Sequence, residues 1–130
     1  MAIKKCKRGS TTKLSKNFTA TEFDCEGTGC CNETVIDEKL VEILQKIRDH
    51  FGKPVTINSG YRTVTYNKKV DGAIQSQHLY GMAADISVSG VKPKDVAAFA
   101  ETLLPKTGGI GIYDTFTHVD VRAAMSRWKG

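Results

Sequence analysis

The spacing of apolar residues changes several times along the chain, and each change marks a predicted element. From Asp37 to Phe51, residues Leu40, Val41, Ile43, Leu44 and Ile47 recur at helical spacing with charged residues between them. This predicts one amphipathic helix. Gly52 and Pro54 end it, and the following PVTINSGYR reads as a short strand running into a turn. Residues 63 to 77, with Asn67, Asp71 and Gly72, predict a loop containing one helical turn. After His78, MAADISVS has strand character, and Val96, Phe99, Ala100 and Leu103 place a second amphipathic helix over Lys94 to Leu104. Gly108 and Gly109 then precede GIGIYDTF and THVDVR, two short strand-like runs.

Toward the N-terminus the pattern weakens. Residues 1 to 16 are polar and basic without an apolar period, which predicts an irregular arm. In NFTATEFDC, Thr19 stands three residues ahead of Glu22, the pattern of a capping box opening a helical turn that Gly27 and Gly29 cut short. The expected fold class is therefore α+β: a small antiparallel sheet with helices packed on one side, residues 17 to 130, behind a basic arm. There is no internal repeat or linker.

A length of 130 residues suits one domain. Nineteen Lys and Arg against 14 Asp and Glu give a net charge of +5, and the excess gathers at the chain ends, Lys4, Lys5, Lys7, Arg8, Lys13 and Lys16 at one and Arg122, Arg127 and Lys129 at the other. Such a balance favours an anionic partner, nucleic acid or a wall polymer. No aromatic residue interleaves the first cluster, so a base-stacking surface is not supported, and no nucleic-acid partner is expected. No run of about 18 apolar residues exists, nor one of signal-peptide length behind the first lysines. The expectation is a monomer, cytoplasmic as synthesised, which reaches any external substrate through a phage-type lysis system.

Cys6, Cys25, Cys30 and Cys31 fall in the first quarter of the chain. Paired C-x-x-C spacing is absent, so a four-cysteine zinc site is disfavoured against reduced thiols or a disulfide.

The chain has three histidines, and His78 and His118 stand near carboxylates in glycine-rich, strand-bordering contexts. Imidazole and carboxylate suit zinc, and a catalytic zinc takes three protein ligands while leaving a fourth position to water. His78, Asp85 and His118 supply that set. Gly81 with Ala83 and Ala84 keeps the connection between the first two uncrowded. Asp120, two residues beyond His118 on a predicted strand, projects from the same face. His50, at the end of an exposed helix, reads as an ordinary surface histidine.

The ordered set SGYRT (59 to 63), Tyr66 with Asn67, SQHLYGMAAD (76 to 85), GGIGIY (108 to 113) and FTHVDVR (116 to 122) resembles the zinc D-alanyl-D-alanine peptidase family. That family includes D-alanyl-D-alanine carboxypeptidases and phage-type L-alanyl-D-glutamate endopeptidases and shares its fold with the hedgehog signalling domain. The resemblance runs from about Asn17 to Arg122. It implies one zinc ion on His78, Asp85 and His118, and a peptidoglycan stem peptide as substrate. It implies that Arg62 binds the scissile carbonyl oxygen or a substrate carboxylate, and that Ser76 and Tyr61 support the pocket. The implied chemistry is attack of zinc-activated water on an amide carbonyl, with a carboxylate accepting the water's proton.

The chain departs from the family at that carboxylate. Many relatives carry an acid three residues before the last histidine ligand, where this chain has Thr115. Asp120 is the favoured base and Asp114 the runner-up, and Asp120 could instead orient a ligand. Tyr113 and Phe116 read as wall aromatics. The missing acid leaves a second function open: a non-catalytic, zinc-containing wall-binding module of the same fold.

Overall fold

The computed structural model describes residues 3–25, 33–70, 72 and 76–130. In chain order the elements are β1 (Ile3–Lys7), β2 (Glu33–Asp37), α1 (Glu38–Phe51), β3 (Val55–Ser59), α2 (Val64–Lys69), β4 (Ala83–Val88), α3 (Pro93–Leu103), β5 (Gly109–Ile112), β6 (Thr117–Asp120) and β7 (Ser126–Lys129). Single 3-10 turns lie at Ala20–Phe23 and Gln77–Tyr80. The first of these carries the expected capping box, with the Thr19 backbone N–H donating to Glu22 Oε2 at 2.6 Å.

Two expectations need correction. Ile3–Lys7 is not irregular: it pairs antiparallel with β2, from Ile3 opposite Asp37 to Lys7 opposite Glu33. That partner lies some thirty residues away, so no local signal announces it. The main sheet, in the order β3-β4-β6-β5-β7, is also not wholly antiparallel. β5 and β7 run parallel, β7 pairing with the edge of β5 that β6 leaves free.

The α1 helix forms where the period put it. Asp37 caps it by accepting the Lys39 N–H at 2.8 Å, and Gly52 closes it in the left-handed region at φ 62°. Leu40, Val41, Ile43, Leu44 and Ile47 are all buried, each worth about 1.5–3 kcal/mol relative to exposure. Together with α3, this helix covers the sheet face that presents Ala84, Ile86, Val88, Ile110 and Val119. His50, beyond the apolar stripe, stacks on Phe99 of α3 with ring centroids 3.7 Å apart.

Side chains alternate between the faces of a strand, so the residues between those core positions must point the other way. In register, Asp85 is opposite His118 and Ala83 is opposite Asp120, while Gly111 and Gly109 face the same two β6 residues from β5. The candidate chemistry thus occupies one sheet face and the hydrophobic core the other. Cys6 is half-buried in β1 and Cys25 is buried, whereas Cys30, Cys31 and Asp71 lie outside the described residues. No helix among the described residues is long and apolar enough to cross a membrane.

Candidate metal centre

Adjacent strands bring Asp85 and His118 together, and a turn delivers His78. The Ser76 hydroxyl accepts the His78 N–H at 3.2 Å and so opens the Gln77–Tyr80 turn. Gly81 closes the turn at φ 69°, where a Cβ would lie 2.2 Å from the Val35 carbonyl oxygen. Only glycine satisfies both conditions. The result places Asp85 Oδ1 3.3 Å from His78 Nε2 and 3.0 Å from His118 Nδ1. One ligand atom from each of the three residues lies within 4.8 Å of the others.

The far nitrogens of both rings fix their tautomers. His78 Nδ1–H donates to the Gly60 carbonyl at 2.7 Å, leaving the Nε2 lone pair toward Asp85. His118 Nε2–H donates to Asp120 Oδ2 at 2.7 Å, leaving the Nδ1 lone pair toward Asp85 Oδ1. Two lone pairs and a carboxylate oxygen therefore converge in a buried place, an arrangement that a cation satisfies. In the absence of a metal the same partners favour a proton on His118. Burial pushes the His118 pKa down, but hydrogen bonds to Asp120 and Asp85 outweigh it and the pKa is raised. Burial pushes Asp85 up, and hydrogen bonds from His118 and His78 overcome this, holding its carboxyl well below the usual range. The donor set fits a metal ion.

Asp120 is fully buried, at 0% exposure, and both of its oxygens are occupied. Oδ1 accepts from the Gly109 N–H at 2.8 Å and from Arg122 Nε at 2.9 Å, and Oδ2 from Arg122 Nη2 at 2.6 Å as well as from His118. Burial pushes its pKa up, yet hydrogen bonds from His118 and Arg122 hold it well below the usual range. Gly109 makes this possible, since a Cβ there would lie 2.2 Å from Asp120 Oδ2. A carboxylate so enclosed meets His118, Arg122 and the Gly109 N–H and does not stand open to water. Asp114 is exposed in the turn between β5 and β6.

Beside the cluster lies a cavity of about 370 Å³, lined by Arg62, Ser76, His78, Asp85, His118 and Trp128 among others. Neither Asp114 nor Asp120 lines it, and neither does Tyr61. Arg62 is held by Ser59 Oγ at 3.1 Å, Asn67 Oδ1 at 3.4 Å and Asp85 Oδ2 at 3.4 Å, so a fixed positive charge faces the cavity. Two larger grooves, of about 560 and 450 Å³, lie elsewhere, and among the described residues they hold no comparable ligating group.

Residues 15–120 match the family model described as Peptidase M15. The chain belongs to this peptidase family. Among curated M15-like relatives, it is 52% identical over 78 residues to the zinc D-Ala-D-Ala carboxypeptidase of Streptomyces albus G, an alignment covering 54% of this chain and 31% of that enzyme. It is 30% identical over 98 residues to the peptidoglycan L,D-endopeptidase MepK of Escherichia coli K12, covering 68% of this chain and 53% of MepK. The probable MepK of Haemophilus influenzae is 31% identical over 105 residues, covering 73% and 55%. The matched stretches thus span from just under a third to just over half of the length of these relatives.

Two residues of this M15 site escaped sequence reasoning. Arg122 neutralises Asp120, and Trp128 of β7 lies 4.9 Å from the His118 ring. A faint signal existed. In GGIGIY, glycine at alternate positions leaves one face of β5 bare, and a neighbour must fill it. The Trp128 indole does so, because a Cβ on Gly111 would sit 2.4 Å from its Cε2.

Proposed function

We propose that this chain is a zinc-dependent peptidase that hydrolyses an amide bond in peptidoglycan stem peptides. The observation that carries the reading is the convergence of His78 Nε2, Asp85 Oδ1 and His118 Nδ1, each ring turned the right way by a partner on its far nitrogen. One zinc ion would be held by these three atoms. When bound, zinc supplies Lewis acidity, which polarises an amide carbonyl and makes water nucleophilic near neutral pH.

The chain's own residues do the rest. Arg62, fixed by three side chains, presents positive charge to a substrate carbonyl or carboxylate. Asp120 holds the His118 ring and tautomer, acting on the ligand rather than on water, as buried partners of metal-bound histidines do. Ser76 supports the His78 turn and Tyr61 the backbone beside Arg62. Asp114, exposed outside the cavity, takes no part. The names of the relatives fit both a carboxypeptidase that trims a terminal D-alanine and an endopeptidase that cuts within the stem.

One observation favours a second reading, a non-catalytic zinc-containing module that binds wall peptide. Among the described residues lining the cavity, Asp85 is the one carboxylate, and the metal set uses it. Incubating the zinc-loaded protein with purified peptidoglycan and identifying released fragments by mass spectrometry separates the two. Fragments from the parent but not from His118→Ala establish the peptidase and name its bond. Retention of zinc and of wall binding without any release would transfer the case to the module.

A further inference from the structure

The cavity wall holds a hydroxyl whose surroundings make it a donor. Tyr113, just after β5, stacks on Phe116 with centroids 4.4 Å apart. Its Oη accepts the Trp128 Nε1–H at 2.9 Å. An indole N–H can only donate, so this bond uses an oxygen lone pair and directs the phenolic proton away from Trp128. No described residue accepts that proton. The remaining surroundings hold the ring still: the Gly130 N–H donates to the Ile112 carbonyl at 2.8 Å, and a Cβ on Gly130 would lie 1.9 Å from Tyr113 Cε2. β7 therefore carries the chain end over the tyrosine and supplies its hydrogen-bond donor.

The same indole connects Tyr113 to the metal cluster. Trp128 packs beside the His118 ring, over the bare face left by Gly111, and Tyr113, Trp128, His118 and Arg62 all line one cavity. A wall that needed only apolar surface would be served by phenylalanine, as it is at Phe116. The hydroxyl is instead held at a defined point with its proton uncommitted.

We infer that Tyr113 is a catalytic hydrogen-bond donor, its O–H addressing the carbonyl oxygen of the scissile amide as negative charge develops there, with Trp128 as its positioning residue. The proton stays on Oη throughout, so no base is required at this position. Together with Arg62 it gives that oxygen two donors prepared before the reaction begins. The inference rests on the peptidase reading above.

The test is steady-state hydrolysis of a soluble stem pentapeptide and of a tetrapeptide by the zinc-loaded parent, Tyr113→Phe and Trp128→Phe, with zinc content measured for each. Loss of a single donor of this kind lowers kcat by about 10²- to 10³-fold. Tyr113→Phe is expected to show that loss with KM little changed and zinc fully retained. Trp128→Phe, which frees the hydroxyl without deleting it, is expected to lose less. The Trp128 indole N–H resonance should move in Tyr113→Phe, reporting the bond independently of turnover. Parental kcat in Tyr113→Phe, or loss of zinc from that variant, would overturn the inference and leave the peptidase standing. A parent that hydrolyses neither peptide nor peptidoglycan would overturn both.

Discussion

The two faces of the five-stranded sheet are built from alternate residues of the same strands, yet different forces hold them. On one face Ala84, Ile86, Val88, Ile110 and Val119 meet α1 and α3, and area removed from water does the work. On the other, Asp85, His118 and Asp120 meet each other, two glycines and two guanidinium groups. Burial there opposes ionisation, and each charge persists because a specific partner outweighs its desolvation. Volume is conserved on the first face, whereas on the second it has been withdrawn, at Gly109 and Gly111, to admit Asp120 and Trp128. A change on the first face should therefore register as stability, and a change on the second as metal affinity and turnover.

The sharpest test of that division is Asp85→Asn. It should abolish zinc retention in the presence of a competing chelator, while the metal-free protein melts within a few degrees of the parent. Elemental analysis and calorimetry read the two quantities, and global unfolding of the metal-free variant would erase the distinction between the faces. From the opposite face, Ile86→Ala, one strand position further on, should cost about 2–5 kcal/mol in urea unfolding. Folded Ile86→Ala protein should still bind zinc like the parent; a large drop in affinity would mean that packing and site are coupled through β4.

Asp120→Asn is subtler, since it keeps the shape and removes the charge that holds His118 and Arg122. Zinc affinity should fall about 10–100-fold, measured by chelator competition; unchanged affinity would reduce Asp120 to a counter-ion for Arg122. The smallest effect belongs to Glu101→Gln on α3, which breaks the Glu101–Arg127 pair of 2.6 and 2.9 Å on the core side of β7. Exposed pairs of this kind contribute about 0.2–1 kcal/mol. The Arg127 hydrogen bond lowers the Glu101 pKa from 4.5, so this contribution is complete above that pH and fades as pH falls below it. Parallel urea titrations of parent and variant at neutral and acid pH should converge at the acid end, and a gap that widened there would contradict the sign.

Much of this arrangement is legible from residue order because its causes are local. The period of Leu40 to Ile47 specifies α1, Asp37 and Gly52 bound it, and the alternation in MAADISVS and THVDVR fixes which residues share a face. The candidate ligands are readable as a set of the residue types that zinc requires, whereas Arg62 is legible only through the resemblance carried by SGYRT. What stayed hidden depends on contacts between distant segments. The β1–β2 pairing, the parallel placement of β7 and the seating of Trp128 over Gly111 each join segments far apart in the sequence.

The role proposed for Asp120 shows the division most clearly. Residue order put a carboxylate two positions from a histidine on one face, and both a base and an orienting partner satisfy that spacing. The choice between them turns on which nitrogen of His118 the carboxylate meets and on whether water can reach it. Register decides the first, by setting β4 and Asp85 against Nδ1. Packing decides the second, by closing Gly109 and Arg122 over both carboxylate oxygens. Spacing along a strand chooses a face; accessibility and the partner atom belong to the neighbours that the fold brings in.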